Sequence, residues 1–332
     1  MAAGRSVSAG WVATIAPAAI AFAVIAILRA SPWSARLADH PNARSLHADP
    51  TPRIGGLGIL AGVIPIAAPH VQGPLVAISM CALALALVSL ADDLRSLPIE
   101  VRLPAHATAA LMAVLAMSQP GISLPWGWAG AALAIAAIAW STNLFNFMDG
   151  SDGLAGGMAA IGFAGLAYAA WGVEQPTALV CAATASASIG FLAHNFPPAR
   201  VFLGDCGSIP LGFLAGAIGT FGVASSMWPA WFPLLVFSPF VVDATVTLAL
   251  RAARGERFWV AHREHAYQRL VLRGWSRRRL ALCAYGLMAC ACTSAVLALR
   301  EEAKLQCAIL FVWVAIYSLL AVAVYKRTRR KA

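Results

Sequence analysis

The chain is a series of long apolar runs separated by short polar breaks. The runs cover roughly 10–30, 54–69, 73–91, 104–118, 126–145, 154–172, 176–194, 208–225, 229–250, 280–298 and 305–325, and a helix that crosses a bilayer needs about 20 apolar residues. This pattern predicts an all-α, polytopic integral membrane protein of about eleven transmembrane helices, a single domain over residues 1–332. The second and fourth runs are short, so the count rests partly on charge. With the N-terminus placed outside and the breaks assigned alternately, only Arg5, Arg300 and Lys304 of the 24 basic residues fall outside, leaving 21 inside. Such a bias predicts a periplasmic N-terminus and a cytoplasmic C-terminus.

Composition agrees. The chain is 60% hydrophobic and 11% charged, with a mean hydropathy of +0.75, values that exclude a soluble domain. Its net charge of +10 needs no nucleic acid to explain it, because anionic lipid and anionic substrate suffice. The first run is longer than the apolar region of a cleaved signal peptide and reads as an anchoring helix. The seven cysteines are scattered without CxxC spacing and read as small apolar residues.

The polar residues gather on the inside. His40 to Arg53, Asp92 to Arg102, Asn143 to Asp152, His194 to Ser208 and Arg251 to Arg279 occupy successive inner breaks, whereas the outer breaks are brief and nearly empty. A transporter places ionisable groups near the bilayer midplane. Crowding at one interface favours an enzyme that works at the inner surface on a lipid head group and a cytosolic partner.

Asn143, Asn146, Asp149 and Asp152 are spaced three apart, so a helical turn would bring them to one side, among glycines that allow close approach of a ligand. Asp92 and Asp93 end the third run, either as a solvated loop start or as a carboxylate pair for Mg²⁺ or phosphate chemistry. Asp205 stands between Gly204 and the Cys206-Gly207 pair at the start of a run, as a helix cap or as a ligand. Asp243 lies inside the ninth run, ~10 Å from its inner end, and requires a partner or a polar cavity. His262-Arg263-Glu264-His265 has spacing that could suit zinc, but no cysteine is near. Donors to phosphate or sugar oxygens fit better.

In order, these segments resemble the polyprenyl-phosphate N-acetylhexosamine-1-phosphate transferases. The matching blocks are Pro41-Asn-Ala-Arg-Ser-Leu-His47 with Pro52-Arg-Ile-Gly-Gly56, Asp92-Asp93, NLFNFMDGSDGLAGG from Asn143, VFLGDCGS from Val201 and HREHAYQRL from His262. The histidines are split by Arg-Glu rather than adjacent, so the chain looks more like the O-antigen-initiating branch than the phospho-MurNAc-pentapeptide translocase. The basic residue that some members carry after the acidic pair corresponds to Arg95 or Arg102.

The resemblance implies transfer of sugar-1-phosphate from a UDP-N-acetylhexosamine, or a 6-deoxy relative, to undecaprenyl phosphate, with release of UMP, at the bacterial inner membrane. It implies Mg²⁺, replaceable by Mn²⁺, held by Asn146 and Asp205. Asp92 and Asp93 are the implied catalytic pair. Asn143, Asp149, Asp152, His262, Arg263 and His265 are implied to bind substrate. An oligomer is compatible with this reading. The rival readings are an intramembrane Mg²⁺-dependent prenyltransferase and a transporter.

The charge asymmetry carries a direct test. A topology reporter fused after Gly255 is expected to be cytoplasmic and one fused after Glu302 periplasmic. A periplasmic signal from the Gly255 fusion would overturn the inner placement of the polar breaks.

Overall fold

The computed structural model describes residues 2–41, 49–125, 127–257 and 262–326. Of the block at 41–47, all but Pro41 lies outside the described residues. The chain opens with α1 (Ala2–Arg29), α2 (Trp33–Arg36) and a two-residue antiparallel pair, β1 (Ala38–Asp39) and β2 (Thr51–Pro52). Then come α3 (Gly55–Ala67) with a 3₁₀ turn at Ala68–His70, α4 (Pro74–Arg95), α5 (Ile99–Ala116) and α6 (Gly127–Met148). The second half holds α7 (Leu154–Ala170), α8 (Gln175–Asn195), α9 (Asp205–Ala224), α10 (Trp231–Val236), α11 (Ser238–Ala253), α12 (Ala266–Leu272), α13 (Arg277–Ala298) and α14 (Ala303–Lys326).

The helices overlie every apolar run, but not all alike. Seven (α4, α5, α6, α8, α9, α13 and α14) are long and apolar enough to cross a membrane, which suits a polytopic membrane protein. Thr14–Arg29, Gly55–His70 and Leu154–Ala170 are shorter apolar stretches. The ninth run is divided at Phe237 into α10 and α11, where Pro239 follows at the start of the second helix. Proline has no N–H to donate and restricts the residue before it, so a helix restarts there more easily than it continues.

Local chemistry sets the helix starts. Gly73 takes φ +52° and hands Pro74 to the first position of α4, where a missing N–H costs nothing. The Glu174 carboxylate accepts the Thr177 N–H at 2.7 Å to cap α8, and the Ser276 hydroxyl accepts the Arg279 N–H at 3.2 Å to cap α13.

At the centre stand α8 and α9. In each, 78% of the most apolar stretch is buried, against 6% in α14. The face of α8 is built of Ala, Ser, Thr and Gly, small residues that let helix backbones approach when lipid offers no hydrophobic drive. Its Ser186 hydroxyl accepts the Ala18 N–H at 3.1 Å and donates to the Thr14 carbonyl at 2.7 Å. The hydroxyl thus sits in the hydrogen-bond ladder of α1 beside Pro17, supplying polar partners that the membrane would not.

A close crossing lies between the starts of α3 and α9. The Gly55 and Gly56 N–H groups donate to the Phe202 and Leu203 carbonyls at 2.9 and 2.8 Å, and the Phe202 N–H donates to the Pro52 carbonyl at 2.9 Å. The unpaired amides of a helix start are thus satisfied by the segment that leads into α9. A Cβ on Gly56 would stand 2.3 Å from the Gly207 nitrogen, a clash with backbone that no rotamer relieves. Gly56→Ala is therefore expected to cost about 1–3 kcal/mol, as for overpacked cores, seen as a fall of several degrees in the unfolding midpoint in detergent. Gly286→Ala, where an added Cβ meets nothing within 4 Å, is the control and should leave the midpoint unchanged or slightly raised.

Candidate active site

Four helix ends meet at one end of the bundle: the C-terminal ends of α4 and α6 and the N-terminal ends of α5 and α9. The last turn of α4 carries Asp92 and Asp93, which face different ways. The Asp93 carboxylate accepts the Asp205 N–H at 3.3 Å and the Cys206 N–H at 3.0 Å, with an Arg53 nitrogen 3.6 Å away. It caps α9 from another helix, where the orphan amides and the positive end of the helix dipole favour an anion. Gly204 makes room with φ +74°; a Cβ there would lie 3.0 Å from Asp93 Oδ2. Asp92 instead accepts the Leu97 N–H at 2.6 Å and pairs with Arg102 at 2.9 Å. The same Arg102 nitrogen lies 3.8 Å from Asp205 Oδ2, so one guanidinium of α5 bridges two carboxylates.

The opposite wall is the loop before α12. Asp243 finds its partner there: its carboxylate accepts the Ala266 and Tyr267 N–H groups at 2.8 and 3.3 Å, and His265 Nδ1 stands 3.5 Å away. Tyr267 donates its hydroxyl to the Phe147 carbonyl at 3.1 Å, fastening α12 to the end of α6. Glu264 is clasped by Arg251, by Arg254 at 2.6 Å and by Arg269 at 2.8 Å. Burial pushes its carboxyl up, but the arginines win and hold it below the usual range. Burial, with His265 and Arg251 alongside, brings the His262 imidazole down to about 4. His262 is therefore neutral near pH 7 and acts as a hydrogen-bonding group rather than a cation.

Between these walls lies a cleft of about 620 Å³. Its polar lining comprises Asp92, Arg102, Asn143, Asn146, Asp205, His262 and His265, with Ser89, His106 and Gln268; Val88, Leu103, Trp140 and Leu248 supply an apolar side. A second cavity of similar volume, between α11, α12, α13 and α14, is almost wholly apolar, and the carboxylate at its wall, Asp243, is already engaged by the Ala266 and Tyr267 amides.

The predicted residues divide accordingly. Asp92, Asn143, Asn146, Asp205, His262 and His265 meet in the cleft, while Asp93 stands behind it as the α9 cap. The expected single face over Asn143, Asn146, Asp149 and Asp152 does not form, because α6 ends at Met148 and Gly153, at φ +77°, starts α7 afresh. Asp152 turns away, buried, to accept the Ala199 N–H at 3.0 Å and pair with Arg277 at 3.2 Å. Asp149 stays beside the cleft without a hydrogen-bond or ion-pair partner for its carboxylate among the described residues. Burial, reinforced by the Asp205 and Asp93 charges, holds that carboxyl well above the usual range. Arg263 does not line the cleft. His265, expected on a surface loop, is 4% exposed, its ring stacked near Phe147 and Tyr267.

Sequence reasoning left Arg102 open and missed His106 and Arg53. The argument that marked Asp243, an ionisable side chain within an apolar run, applies equally to His106.

The donor set suits Mg²⁺. Asp205 and Asn146 line the same cleft, one carboxylate and one amide that could each give an oxygen to a hard cation, although no three His, Cys, Asp or Glu side chains among the described residues are grouped as a metal site. That is the arrangement Mg²⁺ tolerates, since it takes one or two carboxylates and completes its shell with water and substrate phosphate.

Comparison with known proteins gives this cleft a context. The model of glycosyl transferase family 4 matches residues 75–223, a span that contains Asp92 and Asp205 and stops before His262. The probable undecaprenyl-phosphate N-acetylglucosaminyl 1-phosphate transferase of Bacillus subtilis is 28% identical over 261 residues, covering 74% of this chain and 73% of the relative. The phospho-N-acetylmuramoyl-pentapeptide-transferase of Synechococcus elongatus is 32% identical over 273 residues, covering 71% and 72%. The decaprenyl-phosphate N-acetylglucosaminephosphotransferase of Mycobacterium tuberculosis is 25% identical over 289 residues, covering 74% and 72%. With the ordered acidic motifs, the cleft they form and relatives matched over most of their length, the chain belongs to glycosyl transferase family 4.

Proposed function

We propose that this protein transfers the sugar-1-phosphate of a UDP-N-acetylhexosamine to undecaprenyl phosphate, giving undecaprenyl-diphospho-sugar and UMP. The observation that carries the proposal is one cleft with two kinds of wall. Asp92, Arg102, Asn146, Asp205 and His262 line it beside Val88, Leu103, Trp140 and Leu248, so a phosphate and a hydrocarbon chain fit side by side. The named activities of the relatives support the same reaction. In the net exchange an oxygen of the lipid phosphate bonds to the phosphorus that carries the sugar, and the phosphoanhydride bond to UMP breaks. One anhydride replaces another, so the protein's task is to align two anions and offset their repulsion.

Arg102 supplies positive charge at the meeting point, and Asp92 holds its guanidinium in place. The second pKa of a phosphate monoester is about 6, so the lipid phosphate is largely dianionic at neutral pH and positioning outweighs proton removal. Asp93 serves by fixing the start of α9, and with it Asp205. Neutral His262 offers a hydrogen bond to sugar or diphosphate oxygen. Asp205 and Asn146 would hold Mg²⁺, which when bound stabilises charge on phosphate oxygens. The proposed setting is the bacterial inner membrane with the cleft facing the cytoplasm. The proposed role is the initiating step of O-antigen or a related surface polysaccharide, a branch favoured by the split histidines of the His262–His265 loop.

Two substitutions test this reading. Asp205→Asn keeps size and removes charge, so UMP release from UDP-GlcNAc in the presence of undecaprenyl phosphate and Mg²⁺ should fall by about two orders of magnitude or more. The unfolding midpoint should stay near wild type, because Gly204 precedes the helix and Asp205 makes no side-chain cap. Near-normal turnover at ordinary Mg²⁺ would remove Asp205 from the metal. His262→Ala should lower turnover at an unchanged midpoint. His265→Ala should lower both, because His265 is buried against Asp243; wild-type turnover in both histidine variants would take the loop out of the site.

A further inference from the structure

Below the layer of Asp92, Arg102, Asn146 and Asp205, the cleft holds a deeper polar group that neither the sequence motifs nor the proposed reaction uses. His106 lies one turn further along α5 than Arg102, about 6 Å at 1.5 Å per residue, and away from the polar end of the helix. It is 6% exposed and lines the cleft, and its Nδ1 is buried without a hydrogen-bond partner among the described residues. The Nε of Arg102, on the same stretch of α5, is likewise buried and unpartnered. Native proteins leave few such groups unpaired, above all at membrane depth. Guanidinium Nε–H can only donate, so the missing partner is an acceptor, and an anionic one suits a guanidinium best.

The Asn143 side chain interacts with the His106 ring and is itself anchored by its Nδ2–H to the Ala139 carbonyl at 2.7 Å. Depth and surroundings choose between the two anions of the reaction. Val88, Leu103 and Ala136 flank this part of the cleft, a setting for the head of a lipid chain, whereas a water-soluble nucleotide-sugar meets the His262 side first.

We propose that His106, in its Nδ1–H tautomer, is a substrate-binding residue for the lipid acceptor, giving that N–H to an oxygen of the polyprenyl phosphate beside the Nε–H of Arg102. The inference rests on the sugar-1-phosphate transfer reading and adds the residue that holds the lipid phosphate. The acceptor is recognised through two donors spaced one helical turn apart.

The test uses the purified full-length protein in detergent, with His106→Leu to remove the donor and His106→Gln to keep one. Undecaprenyl phosphate is titrated at saturating UDP-GlcNAc, and UDP-GlcNAc at saturating undecaprenyl phosphate. His106→Leu should raise the KM for undecaprenyl phosphate about tenfold or more, the scale of a lost hydrogen bond to a charged group. The KM for UDP-GlcNAc should stay within about twofold, and His106→Gln should recover most of the loss. In parallel, undecaprenyl phosphate alone should raise the unfolding midpoint of wild type and His106→Gln but not of His106→Leu. An unchanged lipid KM, an equal rise in both KM values or a rise for UDP-GlcNAc alone would overturn the proposal. If His106→Leu does not fold, His106→Met takes its place under the same criteria. Failure of the wild type to release UMP would instead refute the transfer reading, and the midpoint shift would still decide whether His106 binds the lipid phosphate.

Discussion

One carboxylate holds the architecture of the cleft in register. Asp93 at the end of α4 accepts the first two amides of α9, and α9 in turn crosses α3 at the contact of Gly56 with Gly207. Three segments distant in sequence are fixed to one another at a single point. The electrostatic reason is general: a helix start carries unpaired N–H groups and partial positive charge, and at the edge of a bilayer water competes poorly for them. A charge supplied from a neighbouring helix satisfies both demands. Because Asp205 is the residue whose amide is held, this structural bond also sets where the next carboxylate points.

This division explains why neighbouring acidic residues differ in surroundings. Asp92 and Asp93 are adjacent, yet successive residues on a helix lie about 100° apart, so one turns toward Arg102 and the cleft and the other toward α9. Asp149 and Asp152, in the loop between α6 and α7, also part company. Asp152 is consumed by Arg277 and the Ala199 amide, while the Asp149 carboxylate has no partner among the described residues and stands near Asp205. Acidic clusters at membrane depth therefore contain both scaffold and working groups, and the partners distinguish them.

Much of this was legible in the chain. The apolar runs marked where the helices lie, because length and hydrophobicity alone decide what a bilayer accepts, and the ordered motifs brought Asp92, Asn146, Asp205 and His262 together. What could not be read depended on direction in space. The spacing of Asn143, Asn146, Asp149 and Asp152 promised one face, but α6 ends at Met148, before either aspartate, and Gly153 at positive φ begins a new helix. Asp243 is met by the Thr247 hydroxyl one turn along its own helix and by His265, but its two backbone donors, the Ala266 and Tyr267 amides, are partners that no side-chain pattern encodes. His265 looked like a loop residue until its burial against Asp243 and Phe147 was visible.

The attachment of the loop before α12 has a mechanical meaning. Asp243 and Arg251 both lie on α11, and through Ala266, Tyr267 and Glu264 they grip the loop at two points eight residues apart along that helix. The other wall, with Asp92 and Asp205, belongs to α4 and α9 and is locked by Asp93. The cleft thus has a fixed jaw and a jaw borne on α11, itself separated from α10 by the break at Phe237. Its gape, and so the distance between the imidazole of His262 and the carboxylate of Asp205, depends on how α11, together with α6 to which Tyr267 and Trp140 tie it, stands against α9.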